Sequence, residues 1–319
     1  MKTVPSRSKY TSLKALLLLM SYFISNPTYG FDIKTVMEAA QQGDAVAQFN
    51  LGQIYRNGLG IPQNLTEAAE WYRRSAKQGH AEAQYNIGRM YEVGRGVRQN
   101  YTDALKWYRL AAKQNIAEAQ HNLAVMYSSG KGVPQDYAKA AEFFILAAEQ
   151  SLVGSQFNLG RMYDKGVGVP QDYTEAAAWY QFAAKQGDAE AQQFLGHRYE
   201  TGKGVQQDYK KAAEWYRLAA GRGQAIAQHN LASLYVSGNG VLQDYTEAAN
   251  LFRLAANQSF VDSQFNLGRL YYTGKGVEQN YALAAKWFRL AAQQGDAEAK
   301  FFLEQMYAKS QGLPSLSHR

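Results

Sequence analysis

The side chains that most often carry catalysis or bind metals are few in this chain. It has no cysteine and five histidines, which removes thiol nucleophiles and thiolate metal ligands. His121 and His229 stand in identical His-Asn-Leu-Ala tetrapeptides that lie 108 residues apart, too far for one shared site, and His80 and His197 belong to no cluster of ligands. No Ser/His/Asp set or carboxylate pair stands out. We therefore expect no catalytic centre, no metal site and no cofactor.

Glycine pairs of the form Gly-x-Gly, such as Gly58 and Gly60, recur along the chain and could suggest a phosphate-binding loop. A dinucleotide fingerprint needs a strand before its glycines and a third glycine that opens a helix. Here a helical pattern precedes each pair. We therefore interpret the glycines as a helix end and a turn.

The element that must position all of these residues is a unit that repeats every 36 residues, and it is clearest in the stretch 188–224. The tyrosine that closes its first half returns without insertion or deletion at Tyr55, Tyr91, Tyr127, Tyr163, Tyr199, Tyr235, Tyr271 and Tyr307. A fixed period of this size is typical of a solenoid. Each copy contains two short amphipathic patterns that cannot bury themselves alone, so the sequence predicts an all-α solenoid of stacked helix pairs.

Local signals mark where these helices begin, end and approach each other. Gly58 and its equivalents are expected to end the first helix, and an Asp or Asn such as Asn64 to cap the second. A glycine within the first helix, as at Gly52, is costly there and indicates close approach of the partner helix. It returns at Gly88, Gly160, Gly196 and Gly268, with Ala124 and Ala232 in the other copies.

The repeats and the segments on either side of them predict how the chain is divided. Residues 1–30 have a basic segment, an apolar run of about ten residues and small residues before Phe31, which predicts a secretory signal peptide; an uncleaved signal anchor is the alternative. Residues 31–42 are predicted to form a capping helix, 43–294 seven repeats, 295–308 a capping half-repeat and 309–319 a disordered tail. The protein is thus expected to be exported to the periplasm or secreted.

The net charge of +7 could suggest a nucleic-acid partner. The predicted signal segment alone carries Lys2, Arg7, Lys9 and Lys14 and no acid, which leaves 30 basic and 27 acidic residues in the remainder. Because both signs alternate along the repeats, we predict a solvated surface and no nucleic-acid binding. No later stretch is apolar enough to predict a membrane span.

The unit A-x-A-Q-x-N-L-G-x-x-Y-x-x-G-x-G-V-x-Q-D-Y-x-x-A-A-x-W-Y-R-x-A-A-x-Q-G resembles the Sel1-like repeat (SLR), a relative of the tetratricopeptide repeat (TPR) with a longer connector. The resemblance covers 32–307. It implies antiparallel helix pairs stacked in a right-handed superhelix, and a protein that acts as an adaptor for other proteins, often at the cell envelope or toward a host cell.

An asparagine returns within the first helix, although it is a mediocre helix former. Its position is similar to that of the asparagine in peptide-binding TPR domains that lines the concave groove and grips a ligand's backbone or carboxylate. Cations often follow one turn later, so a groove for an extended or acidic peptide is one hypothesis; a purely structural role of the amide is the other. The candidate residues are Asn50, Asn86, Asn122, Asn158, Asn230, Asn266, Arg89, Arg161, His197 and Arg269.

The resemblance leads to one favoured function and two alternatives. The favoured function is an exported scaffold that binds a protein or peptide through its inner face. Some cysteine-rich secreted members of the family bind or hydrolyse β-lactams, but this chain lacks the paired cysteines of that subgroup. The third hypothesis is an envelope factor that binds peptidoglycan or its enzymes.

Overall fold

A computed structural model describes residues 33–308, which contain sixteen α-helices and no strand. The helices are α1 (Ile33–Gln41), α2 (Ala45–Asn57), α3 (Leu65–Lys77), α4 (Ala81–Val93), α5 (Tyr101–Lys113), α6 (Ala117–Ser129), α7 (Tyr137–Glu149), α8 (Val153–Lys165), α9 (Tyr173–Lys185), α10 (Ala189–Thr201), α11 (Tyr209–Gly221), α12 (Ala225–Ser237), α13 (Tyr245–Asn257), α14 (Val261–Thr273), α15 (Tyr281–Gln293) and α16 (Ala297–Ala308). Within each of the two units described below, consecutive helices pack against each other, which confirms the predicted all-α solenoid. The predicted signal peptide and C-terminal tail lie outside the described residues.

The described chain divides into two compact units, an N-terminal unit of residues 33–119 and a C-terminal unit of residues 120–308. The boundary falls within α6. In each unit, even-numbered helices are the first helices of the repeats and the odd-numbered helices that follow them are the second.

The predicted helix ends are confirmed. Asn64 accepts hydrogen bonds through Oδ1 from the backbone N–H groups of Thr66 and Glu67, each at 3.1 Å, and so caps α3. Gly58 ends α2 in the left-handed region at φ 69° and donates its N–H to the carbonyl of Ile54.

The close approach of the partner helix that was predicted at the glycine within the first helix is confirmed. A Cβ added at Gly52 would lie 2.7 Å from the ring of Tyr72, and one at Gly160 would lie 2.7 Å from the ring of Tyr180. Both tyrosine rings belong to the second helix of the same repeat and are fully buried. The glycine therefore lets a large aromatic side chain lie directly on the backbone of the first helix.

Consecutive repeats are joined by buried glutamines, which the sequence did not reveal. Gln84 is buried in α4, and its Nε2 donates to the carbonyl of Ala76 in the preceding helix at 3.1 Å. Its Oε1 accepts from Nε2 of Gln114 at 2.8 Å, and Gln114 also donates to the carbonyl of Gly79. The buried amide of Gln84 is thereby satisfied, as burial of a polar group requires. The same bond from the first-helix glutamine to the preceding helix occurs at Gln48, Gln156, Gln192, Gln228 and Gln264.

This glutamine bond also shows what α1 does. Nε2 of Gln48 donates to the carbonyl of Ala40 at 3.1 Å, just as Gln84 bonds to Ala76 in the next repeat. Ala40 is buried together with Ala47 and Leu51 of α2. The helix α1 therefore packs on α2 in the way that a second helix packs on the following repeat.

Candidate functional site

The ten predicted site residues occupy two positions of the first helices, the sixth and the ninth residue. Asn50, Asn86 and Arg89 belong to the N-terminal unit, and the other seven belong to the C-terminal unit. The cations at the ninth position are all exposed, whereas the asparagines are buried or half-buried. Where one helix has both residues, the asparagine is therefore more buried than the cation three residues later.

Asn158 and Asn266 are held by their own helices. Nδ2 of Asn158 donates to the carbonyl of Gly154 at 2.8 Å, and Nδ2 of Asn266 donates to the carbonyl of Asp262 at 2.9 Å. One N–H of each amide is used in this way. The Oδ1 acceptor and the second N–H remain to meet a ligand, and together they can pair with a peptide group.

Asn86 and Asn230 also face the preceding repeat, and Asn86 keeps the bond within its own helix, since its Nδ2 donates to the carbonyl of Glu82 at 2.8 Å. Oδ1 of Asn86 accepts from Nη1 of Arg56 at 3.1 Å, and Asn86 is buried. The Asn230 side chain lies beside the hydroxyl of Tyr216 in α11, which donates to Oε2 of Glu200 at 2.6 Å. The six asparagines are therefore not equivalent, because some join repeats while others carry free hydrogen-bonding capacity.

The arginines at the ninth position each lie beside an aromatic ring on the same helix. The Cζ atoms of Arg161 and Arg269 are both 5.8 Å from the ring centres of Phe157 and Phe265, one helical turn earlier. Arg89 has the same relation to Tyr85. Such a ring orients the guanidinium and leaves its N–H groups available for a carboxylate.

The repeat that contains His197 departs from this pattern. Phe194 replaces the asparagine, and the exposed His197 lies 3.7 Å from the carboxylate of Glu200. The buried Arg198 forms an ion pair with Asp164 of α8. This repeat therefore has a charged inter-repeat contact where the equivalent residues of its neighbours, such as Met162, are apolar.

An open groove lies on the first helices at the end of the C-terminal unit. We call it the C-terminal groove, and its lining residues are His229, Asp262, Phe265, Asn266, Arg269, Asp296, Ala297, Glu298, Phe301 and Phe302. The helices α12, α14 and α16 supply its walls. It brings together two of the predicted residues, Asn266 and Arg269.

One half of the C-terminal groove is acidic. Asp262, Asp296 and Glu298 supply three carboxylates around Asn266. Asp296 caps α16 through a 2.7 Å bond from the N–H of Ala299, so one of its oxygens is occupied. Burial lowers the pKa of His229, which therefore offsets little of the negative charge near neutral pH.

The other half is aromatic and cationic. Phe265, Phe302 and Phe301 line it together with Arg269. Phe302 packs edge-on against Phe265 at 5.8 Å, whereas the side chain of Phe301 remains 57% exposed. The groove thus presents carboxylates, then apolar rings, then a guanidinium.

The acids of the C-terminal groove and Phe301 are not among the residues that the sequence predicted. An acid stands at the second position of five first helices, as Glu82, Glu118, Glu190, Asp262 and Glu298. An acid in the first turn is readily explained by the helix dipole. Its recurrence beside the asparagine position was the signal that could have indicated a polar groove.

Two histidines that sequence analysis left unexplained form pairs with buried serines. Nδ1 of His121 lies 2.8 Å from Oγ of Ser155, and Nδ1 of His229 lies 2.8 Å from Oγ of Ser263. Both serines are fully buried. A hydroxyl in this position cannot reach a substrate in solution, so the pairs join consecutive first helices and do not present a nucleophile.

Within residues 33–308, no three His, Cys, Asp or Glu side chains come together as a metal-binding group. Over the same range, each helix is too short or too polar to cross a bilayer.

The fold and the groove define the class of this protein as an α-solenoid scaffold. The Sel1 repeat model matches residues 45–80, 81–116, 117–152, 153–188, 189–224, 225–260 and 261–296, and the chain therefore belongs to the Sel1 repeat family. Each matched repeat begins at the first residue of a first helix, two residues later than the predicted repeat boundaries. Scaffolds of this TPR-like class typically mediate protein–protein interactions and are typically not catalytic.

Two crystal structures are similar over most of the chain. One is a protective antigen present in uropathogenic Escherichia coli strains, with an SLR fold, a TM-score of 0.83 and 38% identity, covering 89% of this chain and 61% of the antigen. The other is a Sel1 repeat protein from Oxalobacter formigenes, with a TM-score of 0.65 and 34% identity, covering 86% and 80% of the two chains. A search of the curated proteins found no match. This chain thus spans about three fifths of the antigen.

Proposed function

We propose that this protein is an exported interaction scaffold whose C-terminal groove binds an extended polypeptide. The observation that carries the proposal is the order of chemistry along the groove, from three carboxylates through aromatic rings, of which Phe301 is exposed, to Arg269. Membership of a family of interaction scaffolds supports it. The proposal for export rests on the signal-like sequence of residues 1–30.

The groove chemistry specifies the class of ligand. Asp262 and Glu298 suit a lysine or arginine side chain, and Phe301 suits an apolar side chain. Arg269 suits a side-chain or terminal carboxylate, and the free Oδ1 and N–H of Asn266 suit a peptide group between them. An acidic peptide alone would meet three like charges, so the proposed ligand carries both signs around an apolar residue.

The antigen of uropathogenic Escherichia coli provides the argument for the place of action. The Escherichia coli protein is described as a protective antigen, and that description applies to the Escherichia coli protein itself. Because this chain is 38% identical to that antigen, we extend the proposal to a role at the cell envelope or toward a host cell.

Selection from a random peptide library on the immobilised protein tests the binding proposal. We expect selected peptides to share a basic, an apolar and an acidic or C-terminal element. Their affinity, measured by fluorescence anisotropy, should fall at least about tenfold for Arg269→Ala and Glu298→Ala. Lys203→Ala, an exposed connector change outside the groove, is the control. Selected peptides that bind both groove variants as well as the original protein would exclude the groove as their site.

A further inference from the structure

The C-terminal groove has a counterpart three repeats earlier in the chain. Each residue that lines the groove has an equivalent 108 positions before it, and the two sets are identical except at two positions. Gly154 replaces Asp262, and Gln193 replaces Phe301. The equivalent residues all belong to the C-terminal unit, where they lie on α6, α8 and α10 or directly before α10. We call this surface the middle site, and its polar side chains include Asn158, Arg161, Asp188 and Glu190.

The aromatic contact that shapes the C-terminal groove is repeated in the middle site. The ring centres of Phe157 and Phe194 are 5.7 Å apart, and those of Phe265 and Phe302 are 5.8 Å apart, each pair at an interplanar angle of 64°. Phe194 and Phe302 occupy the sixth position of α10 and α16, where the other first helices of the described chain have asparagine. The ring pair is therefore a shared feature of these two sites and not of the repeat in general.

The polar groups of the two sites are also held in the same way. Asp188 caps α10 through a 2.7 Å bond from the N–H of Ala191, just as Asp296 caps α16. The amide of Asn158 bonds within α8 as that of Asn266 does within α14. Because only one N–H of each amide is used, the middle site offers the same hydrogen-bonding groups to a peptide as the C-terminal groove does.

The two substitutions change what the middle site can bind. Gly154 removes one of the three carboxylates, while Asp188 and Glu190 remain. Gln193 places an amide where the C-terminal groove exposes a phenylalanine ring. The exposed guanidinium of Arg161 is retained. The middle site is therefore less acidic and less apolar than the C-terminal groove, but it keeps charges of both signs.

We propose that the middle site binds a second extended polypeptide segment, which carries a basic and an acidic residue around a polar one. This assignment rests on the proposed function of the C-terminal groove. Asp188 and Glu190 suit the basic side chain, and Arg161 suits a side-chain or terminal carboxylate. The amides of Asn158 and Gln193 suit a peptide group and the polar side chain. A segment with a large apolar residue instead favours the C-terminal groove, so the two sites select different ligands.

Selection from a random peptide library on the whole protein with its C-terminal groove disabled tests the proposal. The immobilised protein carries Arg269→Ala together with Glu298→Ala. We expect selected peptides whose affinity, measured by fluorescence anisotropy, falls at least about tenfold on adding Arg161→Ala or Glu190→Ala. The control is Lys185→Ala, which removes an exposed cation from the second helix α9.

The outcomes separate this proposal from the proposed function. Recovery of no peptide, or of peptides that Arg161→Ala and Glu190→Ala leave unaffected, would overturn binding at the middle site. The C-terminal groove would still stand if peptides selected on the original protein depend on Arg269 and Glu298. Loss of that dependence alone would overturn the proposed function instead.

Conversion of one site into the other tests their equivalence. Gly154→Asp with Gln193→Phe gives the middle site the lining residues of the C-terminal groove. A Cβ at Gly154 would lie 3.3 Å from Cε1 of His121, in the place that Asp262 takes beside His229, so the carboxylate fits with a small shift. Isothermal titration calorimetry with a peptide of the C-terminal groove should show one site on the original protein and two on the converted one. A converted protein with an unchanged circular dichroism spectrum and a single site would overturn the equivalence.

Discussion

Asparagine at the sixth position of the first helix has two different roles in this chain. Asn86 is buried and bonded to Arg56, whereas Asn266 lines the C-terminal groove and bonds only within its own helix. The sequence favoured neither role, because both residues occur in the same Asn-[Ile/Leu]-Gly-Arg context. The two residues differ in what lies beside the amide, because Arg56 contacts Asn86 whereas the open C-terminal groove lies beside Asn266.

This difference leads to opposite expectations for the two alanine variants. Asn86→Ala removes a buried acceptor and should lower the free energy of unfolding by about 1–3 kcal/mol without changing the affinity for a groove peptide. Asn266→Ala should weaken that affinity and leave the melting temperature almost unchanged. Thermal unfolding and fluorescence anisotropy measure the two quantities. Equal effects of both changes on stability, with peptide affinity intact, would show that Asn266 is structural.

His229 makes the stability of the C-terminal unit depend on pH. Burial lowers its pKa below the ordinary value of 6.5, against the opposing influence of Asp262 and Glu200. The unfolded chain therefore takes up a proton more readily than the folded chain. The free energy of unfolding should decrease as the pH falls through 6.5 toward the lower pKa of the folded state.

The double variant His229→Phe with Ser263→Ala tests this dependence, since it recreates the Phe157–Ala191 arrangement found elsewhere in the chain. We expect a smaller decrease in melting temperature between about pH 7.5 and pH 5.5 than in the original protein. His197→Gln, a change of an exposed histidine, serves as the comparison. If the melting temperature of the double variant decreases as much as that of the original protein, the pH dependence arises from titratable groups other than His229.

At the scale of the helix, one repeat lacks part of the glutamine contact. Arg222 stands where Gln78, Gln114 and their equivalents join two repeats, and it donates only to the carbonyl of Gly187. Oε1 of the buried Gln192 is therefore without a partner. A glutamine at this position bonds both acceptors in other repeats, as Gln78 does with Gly43 and Gln48.

Arg222→Gln should accordingly stabilise the protein. Restoring a bond to a buried acceptor is worth about 0.5–1.5 kcal/mol, which urea unfolding can detect. The control is Gln258→Arg, which removes the equivalent bond to Gln228 and should destabilise the chain. A lower stability of Arg222→Gln would show that the arginine makes a larger contribution than its single bond indicates.

Much of each helix pair could be predicted from local sequence, and the contacts between repeats could not. Gly52 and Asn64 indicated a close approach and a cap, because the cost of glycine in a helix and the preference for asparagine at its start are local properties. Ser263 carries no such signal. Its role depends on His229, 34 residues earlier, and only the stacking of two repeats brings them together.

The same distinction applies to the candidate site. Asn266 and Arg269 could be predicted because they recur at fixed positions of the repeat. Asp296 could not, since it caps α16 and enters the groove only where the last first helix packs beside α14. Repeat periodicity predicts what the repeats share, whereas the groove depends on how particular copies differ.

At the scale of the whole molecule, the central claim is that binding is localised and not spread over equivalent repeats. The helix α4 carries the same order of carboxylate, ring and guanidinium in Glu82, Tyr85 and Arg89, but its Asn86 is bonded to Arg56 of the preceding repeat. The C-terminal groove combines that order with Asn266, whose amide bonds only within its own helix. A ligand that used the shared features of the repeat would protect all first helices alike.

Hydrogen exchange of the whole chain, with and without a peptide selected on the immobilised protein, tests this claim most directly. We predict that protection on binding is concentrated in α14 and α16, with little change in the second helices or in α2 and α4. Protection spread evenly over the first helices, or confined to the second helices, would contradict the account.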